Sequence, residues 1–341
     1  MKFPPEQKNP SVWYGPDWLA RQREWITVLS SQEIAELETA AETWDRAHPD
    51  ENIEISQVRD FSLPTLAPKL LQLRNELING RGFALLRGLP VAKYSEREAA
   101  IIFSGLGSHL GSSRSQNKLG HLLGHVRDLG LASNDPNVRV YQTNERQTFH
   151  TDSCDVVGLL CLVTAKRGGL SLLVSSATIF NEMLLRRPDL AALLFEEIAT
   201  DRRGEIPNGM LPYYLIPVFN YYEGFLTAIY QRQYIESAQR FPDAPRLTQK
   251  HIDALDLFDE LANSRELNFP MTLEAGDMQF VYNHTLLHDR TSFEDWPEAE
   301  RKRHLLRLWL SIPGDRPLPK IFEQKFGSVT IGDRGGIVLE K

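Results

Sequence analysis

A chain of 341 residues, 42% of them hydrophobic, is long enough to bury a substantial core in one large domain or two smaller ones. The formal net charge of −7 disfavours nucleic-acid binding, and no Lys/Arg run is longer than Arg301-Lys302-Arg303. No apolar run approaches the roughly 20 residues of a membrane helix, and residues 1–6 lack a secretory pattern, so we expect a soluble, cytoplasmic protein without membrane contacts.

The first hundred residues carry mainly helical patterns. Ser30 and Glu33 have capping-box spacing and predict a helix over residues 32–46. A leucine-rich helical pattern over residues 70–78 stops at Asn79-Gly80, and residues 82–88 predict a strand. A second capping box, Ser95 with Glu98, predicts another helix.

From residue 138 the pattern changes to short strands. Strands are predicted over residues 138–143, 156–164, 170–175, 271–273, 278–282 and 304–312, with a β-rich segment over 213–230 that turns at Glu223-Gly224. Helices are predicted over 177–194 and 249–263. The two cysteines, Cys154 and Cys161, exclude a disulfide framework and cannot form a structural zinc site alone. The pattern favours one β-sandwich or barrel with added helices.

The most informative local pattern is Phe149-His150-Thr151-Asp152. In a strand, residues i and i+2 project from the same face, so His150 and Asp152 are predicted to point into one space. Ferrous oxygenases bind iron with two histidines and one carboxylate and leave the other positions open. Alone, His-x-Asp is a weak signal that a surface or capping pair also produces, but the apolar run that follows it indicates the edge of a buried strand.

A remote histidine would have to complete such a site. Residues 283–290 offer His284 and His288. His288 stands just before a clear interruption at residues 290–295 and is therefore predicted near the rim of the barrel. His284 remains the alternative ligand, or else a hydrogen-bonding group of the pocket or core.

The strand over residues 304–312 suggests an anion site. After His304 its even positions are leucines, whereas the opposite face carries Arg303, Arg307 and Trp309. Arginine binds carboxylates in a bidentate manner, and buried guanidinium groups need anionic partners. A solvated basic edge is the alternative interpretation. Further candidates for a substrate pocket, each of which could equally be a core or surface group, are Gln116, Asn117, Tyr141 and Trp309.

Taken together, these segments resemble the taurine dioxygenase-like (TauD/TfdA-like) family of 2-oxoglutarate-dependent oxygenases over about residues 80–315. The residues that carry the resemblance are 82–90, His150-Thr151-Asp152, the turn at 168–171, His288 with Arg290 and Phe293, and Arg303 with Arg307. It implies a mainly β fold with helical insertions (α+β), a distorted double-stranded β-helix or jelly roll. Residues 1–80 would be a helical segment packed on the core, and residues 81–341 the oxygenase domain.

The resemblance also implies roles for individual residues. His150, Asp152 and His288 correspond to the iron ligands, and Arg303 to the arginine that binds the distal carboxylate of 2-oxoglutarate. Ser171 stands where relatives have a serine or threonine whose hydroxyl group binds that carboxylate together with the arginine. Leu170 replaces the acidic residue that usually precedes this position. In several relatives the counterpart of Arg307 contacts an acidic group of the substrate, and Gln116 and Asn117 are further substrate-site candidates.

The implied reaction uses Fe(II), 2-oxoglutarate and O2 to oxidise, by default to hydroxylate, a small substrate, anionic or amino-acid-like, with release of succinate and CO2. Desaturation or oxidative cyclisation would use the same residues. Three rivals remain: a non-redox, cupin-like metal-binding protein, an oxygenase acting on protein side chains, and a zinc hydrolase, for which no general base stands out. The sequence leaves a homo-oligomer open.

Overall fold

The computed structural model describes residues 4–131 and 139–337. The helices in these ranges are α1 (Gly15–Ala20), α2 (Gln22–Trp25), α3 (Ser31–Ala47), α4 (Ala67–Asn79), α5 (Glu96–Ser108), α6 (Ser176–Arg186), α7 (Pro188–Leu193), α8 (Arg232–Ala238), α9 (Gln249–Asn263) and α10 (Glu323–Phe326). The strands are β1 (Ile26–Val28), β2 (Phe83–Arg87), β3 (Ser112–Ser113), β4 (Leu123–Val126), β5 (Gln147–His150), β6 (Val156–Val163), β7 (Arg167–Gly168), β8 (Ser171–Ser175), β9 (Ile198–Asp201), β10 (Tyr213–Ile216), β11 (Phe219–Tyr222), β12 (Phe225–Ala228), β13 (Phe269–Met271), β14 (Met278–Tyr282), β15 (Leu286–Arg290), β16 (Phe293–Glu294) and β17 (His304–Ser311).

Two sheets form the centre of the molecule. The larger has the order β1-β2-β14-β6-β17-β3, with β4 also paired to β17, and the smaller has the order β13-β8-β15-β5. Apart from the parallel pair β1–β2, the strand pairs within these two sheets are antiparallel. Apolar side chains of both sheets form one buried cluster, including Phe83, Val157, Leu173, Leu286 and Trp309. This architecture confirms the predicted jelly roll with helical insertions.

Helices α3, α4 and α5 cover the outer face of the larger sheet. Ser30 and Glu33 form the predicted capping box of α3, and Ser95 with Glu98 does the same for α5. Their apolar faces join the alternate residues of β14 and β17 in a second cluster that includes Leu37, Leu70, Ile101, Phe280 and Leu308. Strand β1 lies within the predicted N-terminal segment and extends the larger sheet, so this segment is not purely helical.

Helices α6, α7 and α9 cover the outer face of the smaller sheet. Because neighbouring residues of a strand face opposite sides, Leu287 packs outward against these helices while Leu286 packs between the sheets. His288 therefore shares the inner side with Leu286. Among residues 4–131 and 139–337, no helix has the length and apolarity needed to cross a membrane.

Three predicted elements differ from the structure. The strand expected over residues 271–273 is observed earlier, as β13 at Phe269–Met271. The helix expected over residues 177–194 is divided into α6 and α7 at Pro188, which has no backbone N–H and begins a new helix. The strand expected over residues 138–143 is wrong: Val138 lies outside the described residues, and Val140–Gln142 forms a 3-10 turn. Its amides bond locally, with Gln142 N 2.9 Å from the Arg139 carbonyl oxygen, so this turn does not join a strand ladder. The turn at Glu223-Gly224 is confirmed between β11 and β12.

Both cysteines are buried and form no disulfide. Burial raises the pKa of the Cys161 thiol to about 12 and raises the pKa of Cys154 well above its usual value. Both side chains therefore remain neutral thiols and pack as small apolar groups.

Candidate metal centre

Two adjacent strands of the smaller sheet bring the predicted histidines together. β5 and β15 run antiparallel, and their register places His150 opposite His288, with ring centroids 4.1 Å apart. β5 ends at His150, so Asp152 lies two residues beyond the strand rather than within it. There its backbone N–H donates to the Asn283 side-chain oxygen at 3.0 Å. Asn283 thus holds a turn at Asp152, where the sequence predicted a continuing strand.

The three side chains offer converging ligand atoms. Asp152 Oδ1 lies 3.9 Å from His150 Nε2, and Asp152 Oδ2 lies 3.6 Å from His288 Nε2. One ligand atom from each residue falls within 4.8 Å of the others. His150 Nδ1 is 2.8 Å from the Thr148 carbonyl oxygen, so this nitrogen donates to it and Nε2 carries the lone pair. This donor set fits the two-histidine, one-carboxylate arrangement of non-haem iron.

The surroundings favour the protonation states that a metal requires. Burial, with a smaller contribution from the neighbouring His288, lowers the pKa of His150 to about 3. Burial alone would raise the pKa of Asp152, but the charge of Arg307, together with His288 and His150, holds it well below its usual range. At neutral pH His150 is therefore neutral and Asp152 is ionised, which are the forms that bind metals.

Side chains of β17 and the loop before β4 hold Asp152 in place. Trp309 Nε1 donates to Asp152 Oδ2 at 2.9 Å, and Arg307 Nη1 lies 4.0 Å from the same oxygen. Gln116 in turn accepts from Arg307 Nε at 2.6 Å and donates to the Arg307 carbonyl oxygen at 2.8 Å. Gln116 thus positions Arg307. Tyr141 stacks on the other side of the guanidinium group, 4.5 Å from it.

A small cavity behind the triad contains two buried arginines. Its walls include His150, Asp152, His288, Ser171, Arg290 and Arg303. Arg303 Nη1 and two nitrogens of Arg290, Nε and Nη1, have no hydrogen-bond partner among the described residues. Burial lowers the pKa of Arg303 to about 10, and burial together with Arg303 lowers the pKa of Arg290 to about 9. Two buried like charges of this kind require an anion.

The hydroxyl of Ser171 lines the same cavity and donates to the Gln279 side-chain oxygen at 3.0 Å. Its two lone pairs remain acceptors. The sequence analysis named Arg290 as part of the family resemblance but did not predict that it lines the site. A signal for it existed, because Arg290 stands two residues after His288 in β15 and so shares its inner face.

A larger cavity of about 1080 Å³ adjoins the small one, and Asp152 and Arg307 line both. Asp152, Arg307 and Trp309 form part of its wall, and residues 320–337 of the C-terminal segment form another part. Lys325 projects from this segment, is half-buried, and makes no hydrogen bond or ion pair with the residues described. Burial lowers its pKa to about 8. By contrast, three other cations of the wall have carboxylate partners: Arg114 with Asp333, Arg139 with Glu205, and Arg334 with Asp155.

Two predicted candidates lie elsewhere. Asn117 lines neither cavity: its side-chain oxygen accepts the backbone N–H of Leu119 at 2.9 Å and so closes a surface turn. His284 is not part of the triad either, since its Nε2 lies 2.8 Å from Asp155 Oδ1 in a separate buried ionic cluster. Lys325 was missed because it reaches the cavity from a segment about 175 residues after His150, and no local pattern identifies it.

A jelly roll with two histidines and one aspartate converging inside it defines a mononuclear non-haem oxygenase of the 2-oxoglutarate type. The chain belongs to the family described as "Taurine catabolism dioxygenase TauD, TfdA family", which it matches over residues 46–309. It is accordingly a 2-oxoglutarate-dependent dioxygenase that uses Fe(II), 2-oxoglutarate and O2.

Individual relatives agree with this assignment. The chain is 33% identical over 307 residues to FR-33289 synthase of Streptomyces rubellomurinus, covering 87% of this chain and 88% of that protein. It is 30% identical over 177 residues to a uridine-5'-phosphate dioxygenase of a Streptomyces species, covering 49% and 62% respectively. The crystal structure of an asparagine oxygenase with Fe(II), hydroxyasparagine and succinate shares the fold, with a TM-score of 0.64, 17% identity, and coverage of 84% and 93%.

Proposed function

We propose that the chain hydroxylates a small organic substrate that carries an anionic group, and that Lys325 and Arg307 bind this group. The observation that carries the proposal is the unpaired ammonium group of Lys325 in the wall of the larger cavity. A half-buried cation without a partner is costly unless a ligand supplies the counter-charge. Other charged residues of the same wall are exposed and solvated, so they need no partner from a ligand: Glu197, Lys320 and Glu323.

Arg307, which lines the same cavity as Lys325, supports the same substrate class. Its nearest carboxylate, Asp152, is at 4.0 Å and would also serve the metal, so the guanidinium group retains capacity for another anion. The uridine-5'-phosphate dioxygenase acts, by its name, on a phosphate ester. A substrate with a phosphate, phosphonate, sulfonate or carboxylate group therefore fits this pair of cations better than a neutral one.

On this proposal His150, Asp152 and His288 hold Fe(II), and Arg303 with Ser171 and Arg290 holds 2-oxoglutarate. Bound Fe(II) supplies the activation of O2 that couples decarboxylation of 2-oxoglutarate to oxidation of the substrate. Trp309 keeps one oxygen of Asp152 occupied and so orients the other. The two arginines fix the distal carboxylate in the small cavity, and Lys325 and Arg307 fix the substrate in the larger one.

The test is succinate release with pairs of small molecules that share a carbon skeleton. Each carboxylate, sulfonate or phosphate ester is paired with its neutral amide, sulfonamide or alcohol. We expect release above the substrate-free rate for anionic members of the panel. For such a substrate Lys325→Met should raise KM about ten- to a hundred-fold, as the loss of a charged hydrogen bond of about 1.5–3 kcal/mol implies.

Lys320→Met is the matched control, because Lys320 lines the same cavity but is exposed; its KM should stay within about twofold of the wild type. The anaerobic visible band of the Fe(II)–2-oxoglutarate chelate should persist in Lys325→Met and disappear in His150→Ala. Equal turnover of neutral and anionic partners, or an unchanged KM in Lys325→Met, would contradict the proposal.

A further inference from the structure

A second group of metal-ligand side chains lies on the outer side of the larger sheet, away from both cavities. His304 begins β17, His125 stands in the neighbouring β4, and Glu96 is the first residue of α5. Their ligand atoms lie within 4.8 Å of one another. Because neighbouring residues of β17 face opposite sides, His304 points outward whereas Arg303 lines the inner cavity.

The two imidazoles of this group face each other through ring nitrogens. His125 Nδ1 lies 2.8 Å from His304 Nε2, and the rings are stacked with centroids 5.1 Å apart. The other nitrogen of His125, Nε2, lies 3.3 Å from Glu54 Oε1. A glutamate at this position favours the tautomer in which Nε2 carries the hydrogen and Nδ1 keeps its lone pair directed at His304.

This arrangement resembles the outer shell of known metal sites, in which a carboxylate accepts the second N–H of a ligating histidine. Two nitrogens bound to one metal at about 2.1 Å are separated by about 3.0 Å when they are at right angles, and by about 3.4 Å in a tetrahedron. The observed 2.8 Å is close to the first of these values. The Glu96 carboxylate lies 3.8 Å from His125 Nδ1 and is 57% exposed, so it can approach as a third ligand.

We propose that His125, His304 and Glu96 form a second divalent-metal site, selective for borderline ions such as Zn²⁺, Co²⁺ or Ni²⁺, with Glu54 orienting His125. Imidazole and carboxylate ligands suit these ions, and solvent supplies the remaining ligands on the exposed side. His121, whose Nε2 lies 3.6 Å from Glu54 Oε2, adds a further histidine to the rim. The nearby Arg127 opposes a cation, but it is exposed and therefore screened by solvent.

Such a site would connect three elements. A bound ion would join β4 and the start of α5 to β17, one residue away from Arg303. It should raise the thermal midpoint of unfolding, because an ion that binds only the folded chain stabilises it by mass action.

The experiment is equilibrium dialysis of the metal-free full-length chain against Zn²⁺, with metal measured per chain. We expect about two equivalents for the wild type, about one for His304→Gln, and about one for His150→Ala, in which the inner triad is incomplete. His125→Gln tests the same site from another strand, and His304→Gln with His150→Ala combined should bind none. The Zn²⁺-dependent rise in unfolding temperature should persist in His150→Ala and be lost in His304→Gln and His125→Gln.

His251→Gln is the matched control, since His251 also lies near a glutamate, Glu196 at 3.1 Å, but belongs to α9 on the other side of the molecule. Its stoichiometry should equal that of the wild type. If His304→Gln and His125→Gln both fold and still bind two equivalents, the histidine pair only shares a proton and the proposal is overturned. The proposal is overturned in the same way if only His150→Ala loses an equivalent of metal, because that loss concerns the inner triad and not the outer histidine pair.

Discussion

At the scale of single residues, the arginines behind the triad are the most informative groups. Arg303 and Arg290 are buried positive charges that line the small cavity, yet three of their nitrogens lack a partner among the residues described. Such groups are tolerated when a ligand completes their hydrogen bonds. The distal carboxylate of 2-oxoglutarate would provide this, because two oxygens can accept from two guanidinium groups at once.

Arg303→Lys should therefore weaken 2-oxoglutarate binding while the positive charge is retained. Lysine is a point charge and cannot reproduce a planar, bidentate contact. We expect KM for 2-oxoglutarate to rise about ten- to a hundred-fold, from a loss of roughly 1.5–3 kcal/mol. Steady-state kinetics with varied 2-oxoglutarate and saturating substrate measures the change.

Arg186→Lys serves as the control for this substitution, because Arg186 forms an exposed pair with Glu182 on α6. It should leave KM for 2-oxoglutarate unchanged. A wild-type KM in Arg303→Lys, with a lower kcat instead, would mean that Arg303 does not contact the cosubstrate.

At the scale of elements, helix α5 lies unusually close to its neighbours. A Cβ atom at Gly105 would overlap the ring of Phe61, and one at Gly107 would lie 2.6 Å from the terminal methyl group Cδ1 of Leu308. The first obstacle is a rigid, buried ring and the second is the flexible end of a side chain. The close packing of α5 against the core therefore requires glycine at position 105 more strictly than at position 107.

Gly105→Ala should lower the free energy of unfolding by up to roughly 2 kcal/mol. Alanine is the better helix former by about 1 kcal/mol, but overpacking a core costs about 1–3 kcal/mol. Urea unfolding of Gly105→Ala, Gly107→Ala and Gly105→Ala in a Phe61→Leu background measures the balance. Gly107→Ala should lower the free energy of unfolding less than Gly105→Ala does, and the Phe61→Leu background should reduce the loss caused by Gly105→Ala. An equal loss of unfolding free energy in both backgrounds would refute the role of the Phe61 ring.

The sequence predicted those features that neighbouring residues determine and missed those that depend on contacts between distant segments. Both capping boxes and the buried strand β6 follow from neighbouring residues and were predicted. The convergence of His150 with His288 required the family resemblance, because nothing local pairs β5 with β15. Lys325 could not be predicted, since its position follows only from how the C-terminal segment folds back over the cavity.

At the scale of the whole molecule, a buried ionic cluster attaches that C-terminal segment to the core. Arg334 donates to Asp155 at 2.7 Å and to Asp315 at 2.8 Å, and His284 lies 2.8 Å from Asp155. Burial alone would raise the pKa of Asp155, but the hydrogen bond with His284 and the charges of His284 and Arg334 hold it below its usual range. The alternative metal ligand of the sequence analysis, His284, thus belongs to a structural cluster in which Arg334 supplies the cation.

Arg334→Met should lower the free energy of unfolding by about 3–5 kcal/mol at neutral pH, because it leaves two carboxylates buried without their cation. A carboxyl group whose pKa is lower in the folded chain stabilises it above about pH 4, and this contribution disappears as the pH falls. The difference between wild type and variant should therefore narrow from pH 6 to pH 3 in denaturant titrations. Lys320→Met, on the exposed side of the same segment, should show no such difference at any pH.

The alternation of β17 has an evolutionary consequence. Arg303 and His304 are chain neighbours that serve opposite sides of one sheet, the first inside and the second outside. Deleting or inserting a single residue between them and the middle of β17 would exchange their sides, placing an imidazole in the inner cavity and a guanidinium group on the outer face. Substitutions along this strand can accumulate one at a time, whereas changes in its length must be compensated at once, so length should drift far less here than in the loops at either end.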